Sequence, residues 1–299
     1  MKILLLGGNG QLGKELRRSL SPLGQVVPTT RSGMLEDGSQ CEAADFDRPR
    51  SLQAVLQRVQ PDIVVNAAAY TAVDRAEDDA EAAFRANAEA PALFAQWCAQ
   101  YGAPLVHYST DYVFDGRAQR PYRESDPTAP LGVYGASKLA GEQAIAQAGG
   151  QHLIFRTAWV YASHSANFLR TMLRVGAERE QLRVVADQIG TPTPAALIAD
   201  VTASVLSQGT ERSGVWHLTA GGQTSWHGFA EAIFAQAVKL GVLAKAPGVE
   251  AITTDQYPTP AQRPAWSVLD TGQLEKDFEL SLPRWEDALE QIMRQVAAQ

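Results

Sequence analysis

A chain of 299 residues with 26 Lys and Arg against 33 Asp and Glu carries a formal charge of −7, so it lacks the basic excess that a nucleic-acid backbone requires. With 45% hydrophobic and 20% charged residues it is neither disordered nor fibrous, and its length suits about two domains. Two cysteines, Cys41 and Cys98, and five scattered histidines offer no metal-ligand spacing and no disulfide framework. The N-terminal apolar run, Ile3 to Leu6, is far shorter than the ~18 residues of a membrane span and meets no cleavage-site pattern. The expectation is a cytoplasmic protein without a membrane partner.

Apolar runs at Lys2–Leu6, Gln25–Thr29, Asp62–Asn66, Pro104–Ser109 and His152–Thr157 read as buried strands. Between them, residues recurring at three and four predict helices over Gln11–Leu20, Pro49–Val59, Glu81–Tyr101 and Tyr134–Ala148. The alternation predicts an α/β fold, a Rossmann-like doubly wound parallel sheet. Gly116–Leu131, with three prolines and several charges, reads as a mobile surface loop near the site. Beyond Thr157 the alternation weakens up to a last helix, Arg284–Val296. The division is therefore a dinucleotide-binding domain over 1–160, rejoined by part of 185–223, and a smaller, mainly substrate-binding domain over 161–299.

The first strand runs into Gly7-Gly8-Asn9-Gly10-Gln11-Leu12-Gly13. A glycine turn that opens a helix points backbone N–H groups at an anion, so Gly7, Gly10, Gln11 and Leu12 are candidate contacts to a dinucleotide phosphate. After the second strand comes Thr30-Arg31-Ser32, with no carboxylate to accept an adenosine 2′-OH. Arg31 suits a 2′-phosphate, which favours NADPH, with NADH a weaker possibility. Asp45 and Phe46 are placed to meet the adenine, and the small residues Ala67, Ala68 and Ala69 leave space across the sheet edge.

The fourth strand ends in Tyr108-Ser109-Thr110-Asp111-Tyr112, at the carboxyl edge where α/β sheets carry their chemistry. Strand alternation does not decide between Ser109 and Thr110 as the group facing a carbonyl. Tyr134-Gly135-Ala136-Ser137-Lys138 then sets a phenol and an ammonium on one helix face. A nearby ammonium favours phenolate, so Lys138 is expected to lower the Tyr134 pKa toward the working pH of a general acid. Eight tyrosines and six lysines give about 0.16 such pairs by chance, so the pair is suggestive only in its context.

These motifs, in this order, resemble the extended short-chain dehydrogenase/reductases, and within them the dTDP-4-dehydrorhamnose reductases. Besides those above, the stretches that carry the likeness are Asn66 to Asp74, Ser109 to Gly116, Tyr134 to Glu142, Arg156 to Tyr161, Asn167-Phe168, Asp187 to Thr193 and Arg263-Pro264. They span nearly the whole chain. The resemblance implies a catalytic triad of Thr110, Tyr134 and Lys138, with Thr110 orienting a C4 carbonyl, Tyr134 protonating its oxygen and Lys138 also holding the nicotinamide ribose. It implies substrate contacts from Val73, Asp74, Tyr112, Trp159, Asn167 and Arg263. The implied product is dTDP-L-rhamnose, a precursor of cell-surface polysaccharide such as lipopolysaccharide.

Dehydratases on the same fold resemble Thr-Asp-Glu at this strand end, whereas this chain has Tyr112 in place of the glutamate. Epimerases and a noncatalytic NADP-binding regulatory subunit remain as alternatives. Some reductases of this type resemble one another in dimerising through magnesium. Glu15 matches one ligand position, but Pro194-Ala195-Ala196 supplies no second carboxylate. The expected state is a monomer or a metal-independent homodimer.

Overall fold

The structure, a computed structural model, describes residues 1–209 and 211–299. β1 (Lys2–Leu6) has Ile3 to Leu6 wholly buried, as a central parallel strand covered on both faces must be. α1 (Gln11–Leu20) turns Leu16 and Leu20 onto the sheet. There follow β2 (Gln25–Thr30), β3 (Glu42–Ala43), α2 (Pro49–Val59), β4 (Ile63–Asn66), α3 (Val73–Ala76), α4 (Ala80–Phe84), α5 (Ala90–Tyr101), β5 (Leu105–Thr110), α6 (Val133–Gln147) and β6 (His152–Thr157).

The second half is built from short strands and longer helices. β7 (Val160–Tyr161), α7 (Phe168–Glu178), β8 (Gln181–Val185), β9 (Ile189–Gly190), β10 (Thr193–Pro194) and α8 (Ala195–Ser207) precede β11 (Gly214–His217). Then come β12 (Thr224–Ser225), α9 (Trp226–Lys239), β13 (Gly248–Ile252), α10 (Gly272–Asp277) and α11 (Trp285–Ala297).

The central sheet has seven parallel strands in the order β11-β6-β5-β4-β1-β2-β3. Its last strand, β11, was missed by the strand readings because Gly-Val-Trp-His is too short to show a period. Leu16 and Leu20 of α1 pack with Ile198 and Val205 of α8 on one face, and Leu52, Phe94 and Ile145 of α2, α5 and α6 cover the other. α7, α9 and α11 enclose a separate core around Leu169, Phe229, Ile233, Leu289 and Ile292. The strand order reverses between β1 and β4, so the carboxyl ends of β1, β4, β5 and β6 open onto one crevice.

Two local expectations are corrected. The single helix over Glu81–Tyr101 is interrupted by a π turn at Arg85–Glu89. Pro91 lacks the N–H that would bond the Asn87 carbonyl four residues back, and its ring crowds that carbonyl, so the helix must widen there. The Gly116–Leu131 segment is not only surface: Tyr122 is buried, stacks on Phe114 with centroids 4.2 Å apart, and bridges to Leu269.

Candidate active site

Gly7 ends β1 with φ +84°, and a Cβ there would lie 2.9 Å from the Ala68 backbone nitrogen. Only glycine allows this close approach of the β1 turn to the segment after β4. Gly10 caps α1 in an extended conformation without a side-chain cap, leaving the first N–H groups of the helix for an outside acceptor. Beside this turn lies a cavity of about 440 Å³ whose walls include Gly7, Arg31, Phe46, Ala68 and Ala69. The fit to a dinucleotide rests on this cradle.

Not every expected cofactor residue faces that cavity. The Asp45 carboxylate accepts the Asp47 N–H at 3.1 Å and stands 3.5 Å from both Arg31 and Arg48, so it is engaged within its own loop and not aimed at a ring. Leu12 and Ala67 pack against the core, which leaves their backbones to the cradle. Gln11 accepts from Asn167 Nδ2 at 2.8 Å. Sequence reasoning missed Arg75, a second cation on the cavity wall, and Tyr70 beside it.

At the end of β5, Thr110 donates to Asp111 Oδ1 at 3.0 Å and accepts the Tyr112 N–H at 3.2 Å. Of the two hydroxyls that alternation left open, Ser109 is buried without a partner, whereas Thr110 faces the Tyr134 phenol. Tyr134 reaches it because Gly135 packs on the Tyr112 carbonyl, where any Cβ would collide. The Tyr112 and Tyr134 rings meet edge to face at 5.8 Å.

The electrostatics differ from the expectation. Tyr134 keeps a partly accessible ring, yet the protein packed around it pushes its phenol up to about 12, and the polar contact with Thr110 works the other way. Lys138 does not lower it. The ammonium is 2% exposed and donates to the Tyr108 carbonyl at 2.6 Å, with His107 Nε2 at 3.3 Å. Burial lowers Lys138 to about 8, against the pull of Glu142. The correction has a simple physical cause: desolvation outweighs a Coulomb interaction with a group directed elsewhere. A phenol is protonated at neutral pH even at its ordinary value, so the rise leaves Tyr134 a proton to give but makes it a weaker acid.

Helix α6 is anchored from below. Glu142, one turn beyond Lys138, forms a buried bidentate pair with Arg156 of β6 at 2.9 and 2.7 Å. Asn87, in the π turn, donates to the Tyr70 carbonyl at 3.0 Å and to Ser137 at 3.0 Å. Sequence reasoning missed Asn87, although an asparagine inside a long helix is itself a signal of another task.

On the substrate side, Val73, Tyr112 and Tyr134 line one small pocket with Ala261 and Pro264. Asp74 and Arg263 instead hold each other in a two-pronged ion pair at 2.9 and 2.8 Å, which keeps the Asp74 carboxyl below its ordinary range. Arg263 still lines a second cavity of about 330 Å³ with Tyr257, Thr259, Gln188 and Trp226. Trp159 sits at φ +47° and stacks on Trp226 at 3.5 Å, a partner not anticipated from the sequence. Asn167, expected at the substrate, is engaged within the protein: its Oδ1 caps α7 through the Arg170 N–H, and its Nδ2 has the Gln11 Oε1 and the Ala162 and His164 carbonyls within 2.8 to 3.0 Å.

The family model described as RmlD substrate binding domain matches residues 1–298. The chain is 49% identical to the dTDP-4-dehydrorhamnose reductase of Burkholderia thailandensis over 100% of both chains, and 43% identical to that of Salmonella typhimurium over 99% and 98%. Among solved structures it is similar to the dTDP-4-dehydrorhamnose reductase of Bacillus anthracis in complex with NADP, with TM-score 0.88 and 34% identity over 98% of this chain and 99% of that one. A Thermus thermophilus UDP-glucose 4-epimerase, at 19% identity and TM-score 0.82, shares the fold alone. The chain belongs to the RmlD substrate binding domain family, that of the dTDP-4-dehydrorhamnose reductases.

Proposed function

We propose that the chain reduces the C4 keto group of dTDP-4-dehydro-L-rhamnose with NADPH, giving dTDP-L-rhamnose. The observation that carries the residue assignment is the corner where Thr110 meets a protonated Tyr134 phenol at the carboxyl edge of β5, one turn from Lys138. When bound, NADPH supplies a hydride to C4. Tyr134 gives its proton to the C4 oxygen, Thr110 orients that oxygen, and Lys138 holds the cofactor ribose. The ketone becomes a secondary alcohol, and the phenol is left one proton short.

Gly7, Gly10 and the first turn of α1 hold the pyrophosphate, and Arg31 meets the 2′-phosphate after leaving its long contacts to Asp45 and Asp47 at 3.5 and 3.4 Å. Val73, Tyr112, Trp159 and Arg263 form the substrate side. The reading assigns cofactor binding to 1–160 with part of 185–223, and substrate binding mainly to 161–299.

Among the described residues no helix is long and apolar enough to cross a membrane. A cytoplasmic location, a monomer or metal-independent homodimer, and no nucleic-acid partner complete the reading. Glu15, the one matching magnesium position, accepts from His164 Nε2 at 2.8 Å. Purified protein, NADPH and dTDP-4-dehydrorhamnose test the function. One NADPH oxidised per dTDP-L-rhamnose formed supports the reductase; a stereoisomeric keto sugar formed without NADPH oxidation indicates an epimerase; neither indicates a noncatalytic subunit.

A further inference from the structure

Beneath Lys138 lies a buried row of polar groups that the reduction itself does not use. Asn66 ends β4 and His107 lies opposite it on β5, and both are buried at 1% exposure. Asn66 Oδ1 accepts the Ala68 backbone N–H at 3.2 Å. A backbone N–H only donates, so the orientation of the Asn66 amide is fixed, and its NH2 faces His107 Nδ1 at 3.1 Å. An amide NH2 also only donates, so Nδ1 carries the lone pair and the ring proton sits on Nε2.

That proton points at Lys138 Nζ, 3.3 Å away. An ammonium has no lone pair to receive it, so a charged Lys138 meets His107 donor to donor. A neutral amine accepts from Nε2–H and still donates to the Tyr108 carbonyl, satisfying every contact. We propose that His107, locked by Asn66 in the Nε2–H tautomer, is a positioning residue that favours the neutral amine of Lys138 and sets where that residue loses its proton.

The other ionisable neighbours are few. On its own helix are Tyr134, a neutral phenol, and Glu142, which favours the ammonium but shares its charge with Arg156 of β6. Burial acts in the same direction as His107, lowering Lys138 to about 8. His107 itself stays neutral, since burial and the Lys138 charge both oppose a second proton. The inference rests on the assignment of Lys138 to the active site, but its test does not depend on turnover.

Two-bond nitrogen–proton correlations on 15N-histidine protein read the tautomer, and 13Cε-lysine titrations read Lys138, assigned by its loss in Lys138→Met. The expected result is Nε2–H at His107, with Lys138 titrating more than one pH unit below the exposed lysines. In Asn66→Asp a carboxylate draws the ring proton to Nδ1, Nε2 turns its lone pair to Lys138, and the titration rises at least tenfold in proton affinity. His107→Gln, which adds no charge and offers an amide oxygen, moves it the same way and serves if the first variant does not fold. An Nδ1–H tautomer in the unmodified protein, or a Lys138 titration unmoved by both changes, overturns the proposal. Full turnover in Lys138→Met beside the expected spectra would remove the catalytic assignment and leave the tautomer lock standing.

Discussion

The two ends of the crevice achieve their selectivity by opposite means. At the proposed catalytic corner Thr110, Lys138, Glu142 and Arg156 are each at most 5% exposed and are fixed by hydrogen bonds to other buried groups. At the cofactor cavity Arg31 is 74% exposed, and its carboxylate neighbours stand 3.4 and 3.5 Å away. A buried corner shifts proton affinities by desolvation and tolerates little change, because each group depends on the next. An exposed cation recognises its ligand by charge that water and salt screen, and its loss leaves the fold intact. Chemistry is thus tied to stability at one end and separable from it at the other.

Breaking the buried pair should show the tie most strongly. Glu142→Gln strands the Arg156 charge inside the protein and should cost about 3–5 kcal/mol, read as a fall in the urea midpoint. Asp111 tests the same region through pH. Burial pushes its carboxyl up to about 6, so the folded state keeps the proton longer than the unfolded chain. Its stabilising effect is full below about pH 4 and is lost as pH rises through about 6, amounting to about 3 kcal/mol. Asp111→Asn, permanently uncharged, should remove that slope from melting curves taken between pH 4 and 7; parallel curves would contradict the burial effect.

Lys138→Met tests the tie at one position. Turnover should drop by ~10²-fold and NADPH affinity should weaken, because Lys138 serves both. The melting temperature should fall as well, because the Tyr108 carbonyl and His107 Nε2 lose their buried partner. At the exposed end the smallest effect is expected: Arg31→Ala should weaken NADPH by about tenfold and leave NADH nearly unchanged, without altering stability. Equal losses for both cofactors would place the 2′-phosphate elsewhere, with Arg75 on the same wall as the first alternative.

The same contrast explains what the sequence could reveal. Strands such as Lys2–Leu6 and helices such as Gln11–Leu20 announce themselves by local apolar period, and their observed bounds match that period. That Tyr134 and Lys138 share one helix was legible, because a spacing of four is visible along the chain. His107, Asn87 and Trp226 were not, since each gains its meaning from a residue 31 to 67 positions away: Lys138, Ser137 and Trp159. The direction of the Tyr134 shift was misread for the same reason. Spacing shows that Lys138 is near, but burial and the Tyr108 carbonyl decide where its charge points.

The central claim is that Tyr134, beside Thr110 at the end of β5, delivers the proton to the C4 oxygen. Tyr134→Phe, titrated with NADPH by fluorescence and then assayed for NADPH oxidation with dTDP-4-dehydrorhamnose, tests it most directly. The expected result is a turnover lowered by ~10² or more, with NADPH affinity nearly unchanged. Turnover like that of the unmodified protein would contradict it.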